Sequence, residues 1–201
     1  MKRTTLSSFF LLISCSLFSQ QILTNYQESK DTLWGSVSAE KPNFGFYGHE
    51  FSFSKNAQIK TFSAFIVDRK KHDETKSTIN FSIWTFDQKP QKELFRSKAV
   101  AILSSEIDNW KTYTFSKPLK LKKGNYLFAV GQSEIQGFVA FRSGWAKEGD
   151  SGKFWMMSPF DGFSDGKTWF QGNDLLRFTG ASEEEIKKIE SAVTRMKIEY
   201  K

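Results

Sequence analysis

The chain has 201 residues, 39% of them hydrophobic and 16% aromatic, and 29 Lys and Arg against 22 Asp and Glu give a net charge of +7. That length supports one well-buried core and is short for two. A single cysteine, Cys15, excludes an intramolecular disulfide and a thiolate metal site, and the two histidines, His49 and His72, give poor support to a catalytic triad or a histidine metal centre.

Residues 1–19 read as a signal peptide: Lys2 and Arg3 precede an apolar run from Phe9 to Ile13, followed by small and polar residues. The run is too short to span a bilayer, and no later apolar stretch approaches ~20 residues, so no transmembrane segment is expected after it. Cleavage after Ser19 would leave Gln20 as the new N-terminus of a secreted or periplasmic protein. A second route fits the same residues: Leu12-Ile13-Ser14-Cys15 resembles the lipobox of bacterial lipoproteins and would leave the chain lipid-anchored at Cys15. Removing Lys2 and Arg3 lowers the net charge from +7 to +5, and residues 181–201 hold five basic and five acidic side chains, so the surplus lies on residues 20–180. A positive field of this size favours polyanionic partners and also serves solubility.

From residue 47 onward the strand signals dominate. Ile79-Asn80-Phe81-Ser82-Ile83 alternates apolar with polar and continues through Trp84, Thr85 and Phe86, which predicts a strand with one face on a core and the other partly covered. Similar runs stand at 47–53, 59–67, 94–102, 110–115, 126–130, 138–141, 154–157 and 175–178. Lys55-Asn56, Lys89-Pro90, Lys117-Pro118 and Lys123-Gly124-Asn125 supply turns between them. No amphipathic helix interrupts the series. The pattern predicts an all-β, antiparallel two-sheet sandwich, jelly-roll-like, over residues 20–180. The charged run 69–76 reads as a solvated hairpin loop, and Lys120, Lys122 and Lys123 as edge-protecting lysines on a short strand.

Residues 145–170 place Trp145, Trp155 and Trp169 among Gly, Asp, Ser and Lys, which is loop chemistry carrying aromatic plates. Two readings stay open: an exposed binding rim, or a wide hairpin packed on its own core. As a rim, Trp145, Trp155, Phe163 and Trp169 would stack on sugar rings while Arg142 and Lys153 pair with sulfate or carboxylate. Neighbouring strand residues point to opposite faces, so Phe154 and Trp155 cannot both meet a ligand.

Beyond Gly180 the texture changes. Ser182 with Glu185 reads as a capping box, and Ile186, Ile189, Val193, Met196 and Tyr200 follow at steps of three and four, which predicts a C-terminal α-helix over 181–201. Its apolar seam, Ile186, Ile189, Val193 and Met196, either lies on the sandwich or recruits a partner or second copy.

Three segments carry a family resemblance: residues 48–53 leading to 59–62; Asn109-Trp110-Lys111-Thr112-Tyr113 through Pro118 to Gly124-Asn125-Tyr126; and 163–169 with Asp174-Leu175-Leu176-Arg177-Phe178. Over about residues 45–180 the layout resembles that of secreted bacterial β-sandwich modules of unknown function, similar to carbohydrate-binding modules. The resemblance implies a jelly-roll-like module in an extracellular, polysaccharide-associated setting. It implies no catalytic residues. The 69–76 loop and the tail depart from the usual layout.

Glycoside hydrolysis needs two carboxylates across a cleft, and nothing in the spacing of Glu134, Glu148, Asp150, Asp161, Asp165 and Asp174 selects a pair. His49 beside Glu50 reads as an edge or strand-end histidine. Asp161 to Gly166 begins like a calcium loop, but Phe163 occupies the third position and Gly172 the twelfth, where glutamate is needed. No cofactor is expected, with a structural calcium ion the one open alternative. These residues point to a secreted, non-catalytic module for an anionic polysaccharide and away from nucleic acid. The alternatives are a structural or adhesion protein docking through its tail, and a small polysaccharide lyase or hydrolase.

Overall fold

Period-two alternation builds two antiparallel sheets around an aromatic-rich core, in a computed structural model that describes residues 20–28, 36–39, 45–69, 77–132, 139–150, 153–157, 159–160, 164–165, 167–178, 180, 182–190 and 192–201. The first sheet contains β1 (Gln21–Thr24), β2 (Ser36–Ala39), β4 (Ala57–Arg69), β8 (Asn109–Leu121), β10 (Val139–Trp145), β15 (Ala192–Thr194) and β16 (Met196–Tyr200). The second contains β3 (Phe46–Phe53), β5 (Thr78–Asp87), β6 (Lys89–Arg96), β7 (Val100–Ala101), β9 (Gly124–Gly131), β11 (Phe154–Met157) and β14 (Phe170–Gln171). A small hairpin joins β12 (Pro159–Phe160) to β13 (Ser164–Asp165), and two short helices follow, α1 (Gly172–Phe178) and α2 (Glu183–Glu190). Among the described residues no helix is long and apolar enough to cross a membrane. The proposed leader 1–19 and the charged stretch 70–76 lie outside the described residues.

The inward residues meet between the sheets. Tyr47, Phe51 and Phe53 of β3, Phe81 and Ile83 of β5 and Phe128 of β9 pack against Ile59, Phe62 and Ile66 of β4, Phe141 of β10 and Ile198 of β16. Phe62 sits edge-on to Phe81 at 5.1 Å and to Phe128 at 5.3 Å, the arrangement that aromatic quadrupoles favour.

Three expectations need correction. The helix predicted over 181–201 ends at Glu190, and the remainder forms β15 and β16. In a strand a step of four keeps the face and a step of three reverses it, so the seam is divided between two strands: in β16 Met196 and Ile198 are fully buried, while Lys197 and Glu199 point the other way. β-branched Val193, Thr194 and Ile198 suit that geometry. The docking seam is thereby used up within the fold, since Ile186, Val193 and Met196 are buried, and the Ile189 side chain lies outside the described residues.

The second correction concerns 175–178, which is the end of α1 and not a closing strand. A four-residue apolar run cannot separate helix from strand by period alone. Asp174 in the first turn and Arg177 in the last complement the helix dipole. Gly172 is required at its start, because a Cβ there would come within 2.6 Å of the Phe154 ring. Third, Lys117-Pro118 is no turn: β8 runs through it. The strand pairs only with β4 among the described residues, and its register shifts beside Pro118, so the missing N–H breaks no ladder.

The last strands enter the first sheet as a wedge. β4 and β10 pair at one end, Ile66 and Asp68 with Phe141 and Ala140, then diverge. β16 pairs with β4 and β15 with β10 inside that fork, and Arg195 between them bonds through its backbone to both Phe65 and Arg142. Asn25, fully buried, braces the bend: its Nδ2 donates to the Thr194 carbonyl at 2.8 Å and its Oδ1 accepts from Met196 N–H at 2.9 Å.

Candidate functional site

Strand parity sends Phe154 and Met156 of β11 into the core and Trp155 and Met157 to the outer side of the second sheet. An outer face is ordinarily polar, yet this one carries Phe46 from β3, Leu127 and Ala129 from β9, and Trp84 and Phe86 from β5, capped by Trp169 just ahead of β14. Gly48 opens the room for this layer, since a Cβ there would sit 2.8 Å from the Leu127 side chain. Trp84 and Trp169 meet edge-on at 5.6 Å, and Phe86 and Trp155 at 5.5 Å.

This layer opens into a cleft of about 590 Å³. Trp155, Trp169 and Phe170 form its aromatic side, the β5–β6 hairpin contributes Asp87, Gln88, Lys89 and Gln91, and α1 contributes Asp174. The hairpin is braced from within: Gln91 Nε2 donates to the Asp87 and Lys89 carbonyls, and the Thr85 hydroxyl accepts from Lys92 N–H at 3.1 Å. Gln88 holds φ 59°, a left-handed conformation that glycine or asparagine adopts more readily. The indole N–H groups of Trp155 and Trp169 are buried and have no hydrogen-bond partner among the described residues. Each such group costs about 1–3 kcal/mol. Rings, amides and carboxylates on one concave surface can stack on a flat ligand and accept or donate hydrogen bonds to hydroxyls.

The sequence-derived residues do not converge. Trp155 and Trp169 share the cleft, whereas Arg142 and Trp145 stand on β10 in the first sheet. Arg142 pairs with Asp108 at 2.8 Å, and Lys153 with Asp150 at 2.7 Å, so both cations already have carboxylate partners. Phe163 lies outside the described residues, as does most of the proposed calcium loop 161–166. No group of three or more His, Cys, Asp or Glu side chains among the described residues is placed to hold a metal ion.

His49 is not at an edge. It lies in β3 between β9 and β11 with 1% of its surface exposed, edge-on to Phe51 at 5.1 Å, and neither ring nitrogen has a partner among the described residues. Burial lowers its pKa to about 3, opposed by Asp150 and assisted by Lys153 and Lys147. Burial and Asp150 raise the neighbouring Glu50 carboxyl, while Lys153 lowers it. A neutral, enclosed imidazole contacts no solvent and serves no proton transfer at the surface.

The outer face of the first sheet holds a different cluster. The Arg195 guanidinium lies 4.1 Å over the Tyr26 ring and 5.4 Å from that of Phe65, and Lys197 lies 5.1 Å over Trp110. These cations stack on the rings, while the buried Arg195 Nε has no hydrogen-bond partner among the described residues.

No protein-family model matches this sequence, and no curated protein matches it. The site therefore rests on geometry. Sequence reasoning missed the β5–β6 wall, although a signal was present: along Asn80, Ser82, Trp84 and Phe86 the outward parity changes from polar to aromatic. Nothing in the sequence told which hairpin would lie beside Trp155.

Proposed function

We propose that this chain is a secreted, non-catalytic, jelly-roll-like module that binds a polysaccharide in the cleft on the outer face of its second sheet. The observation that carries the reading is half-buried Trp169 standing with Asp87, Gln91 and Asp174 around one opening, over a floor that includes buried Trp155. Indole faces pack on the C–H faces of sugar rings, and carboxylates and amides accept from and donate to hydroxyls. The cleft carries two carboxylates and one ammonium group, Lys89, so it suits uncharged sugar units. The layout over residues 45–180 that resembles secreted bacterial sandwich modules points the same way. A docking tail has weaker support, because most of its apolar seam is buried in the fold.

The test is affinity electrophoresis and calorimetry against neutral and acidic polysaccharides. Trp169→Ala, at a half-buried position, weakens binding to a neutral polysaccharide about tenfold or more, equivalent to about 1.4 kcal/mol, while Arg142→Ala and Trp145→Ala bind like the parent. Undiminished binding by Trp169→Ala, or binding to no neutral polysaccharide, overturns the reading. Release of reducing ends or unsaturated products would replace it with a hydrolase or lyase working through Asp87 and Asp174.

A further inference from the structure

A second concavity of about 680 Å³ lies where the β3–β4 hairpin meets the end of β8. Lys55, Asn56 and Gln58 line it from one side and Lys120 and Lys122 from the other, with Lys201 adjoining and Ala57 and Leu121 in its floor. Lys55, Lys120 and Lys122 are exposed, and none of them has an ion-pair partner among the described residues. Arg96, Lys111, Arg142 and Lys153 are paired, in contrast to these three lysines of the groove. Among the described residues no Asp or Glu side chain lines it.

The frame under these lysines is tied at several points. Gln58 and Lys201 exchange two backbone hydrogen bonds, at 2.8 and 3.2 Å, and Lys123 N–H donates to Asn56 Oδ1 at 3.0 Å, joining the two hairpins. The Tyr126 hydroxyl holds the Lys122 carbonyl at 3.0 Å. Lys120 and Lys122 flank buried Leu121 and stand ~7 Å apart, two strand residues along.

We infer that this groove binds the acid groups of an anionic polysaccharide, with the lysines facing sulfate or carboxylate and the Asn56 and Gln58 amides facing sugar hydroxyls. Among the described residues no aromatic ring lines it, and single-stranded nucleic acid uses such rings as a stacking platform. It is concave, which fits an extended chain better than a flat lipid surface. The groove shares no residue with the aromatic cleft, and the inference does not depend on that site.

The test uses retention of the protein on heparin and on polygalacturonate across a salt gradient, beside uncharged dextran, a single-stranded DNA oligonucleotide and phosphatidylglycerol vesicles. The triple variant Lys55→Gln, Lys120→Gln, Lys122→Gln loses binding to both acidic glycans by on the order of tenfold and elutes with a weaker salt dependence. A control triple variant of exposed lysines elsewhere, Lys92→Gln, Lys98→Gln, Lys187→Gln, and the cleft variant Trp169→Ala are retained like the parent. Equal losses in groove and control variants reduce the effect to net charge and overturn the site. So does unchanged binding by the groove variant, or tighter binding of DNA or vesicles than of either glycan through the same three lysines.

Discussion

His49 and Asn25 are polar residues enclosed for different reasons. Asn25 satisfies two backbone groups on either side of Arg195, and Asn25→Ala leaves both without a partner. An expected loss of about 2–3 kcal/mol follows, read as a lower midpoint in urea unfolding. His49 satisfies nothing: with its folded pKa near 3 against 6.5 in an open chain, the imidazole is neutral when folded and gains a proton on unfolding at mildly acid pH. Stability attributable to it is complete above pH 6.5 and falls as pH drops from 6.5 towards 3, by up to about 1.4 kcal/mol per pH unit. Urea midpoints measured between pH 7 and pH 4 check this. His49→Phe, which keeps an aromatic ring edge-on to Phe51 and removes two unpartnered nitrogens, flattens the slope. Sequence placed His49 in a strand correctly but could not tell a central strand from an edge, because its neighbours in the sheet come from residues 124–131 and 154–157.

At the scale of elements, strands with clear alternation were legible and short or doubly patterned segments were not. β3, β5 and β9 read directly from Tyr47 to Phe53, Ile79 to Phe86 and Tyr126 to Val130, because their inward parity is unbroken. The tail misled because Val193, Met196 and Tyr200 keep helical spacing while Met196, Ile198 and Tyr200 alternate as in a strand, and only the presence of a fork between β4 and β10 decides between them. Deleting residues 192–201 therefore removes central strands and not an appendage. Such a truncation is expected to lose the dispersed amide spectrum of a folded β-protein, whereas a dispensable docking tail would leave that spectrum intact. A point version is Ile198→Asp, which places an unpaired carboxylate in the fully buried centre of the core and has the same outcome.

For the molecule as a whole, both faces of the second sheet are covered, one by the first sheet and the other by the layer around Trp84, Trp155 and Trp169. The two tryptophans of the cleft consequently differ in their effect on stability. Trp155, 6% exposed, behaves as core, and Trp155→Ala costs about 3–5 kcal/mol, while half-buried Trp169→Ala costs distinctly less; differential scanning calorimetry separates them. The sequence showed that aromatic residues would cluster late in the chain, but the cluster draws in Trp84 and Phe86 from β5, a meeting that depends on sheet order. It likewise showed an excess of positive charge without showing that Lys55 and Lys120, far apart in the chain, share one groove.

The fork in the first sheet also orders events in time. Its two prongs precede its filling in the chain, so a nascent chain carries an open seam between Phe65 and Arg142 until Arg195 has emerged. Closure then depends on contacts between residues very distant in sequence, which fold slowly. A chain built this way keeps its first sheet open until residues 192–200 have been made.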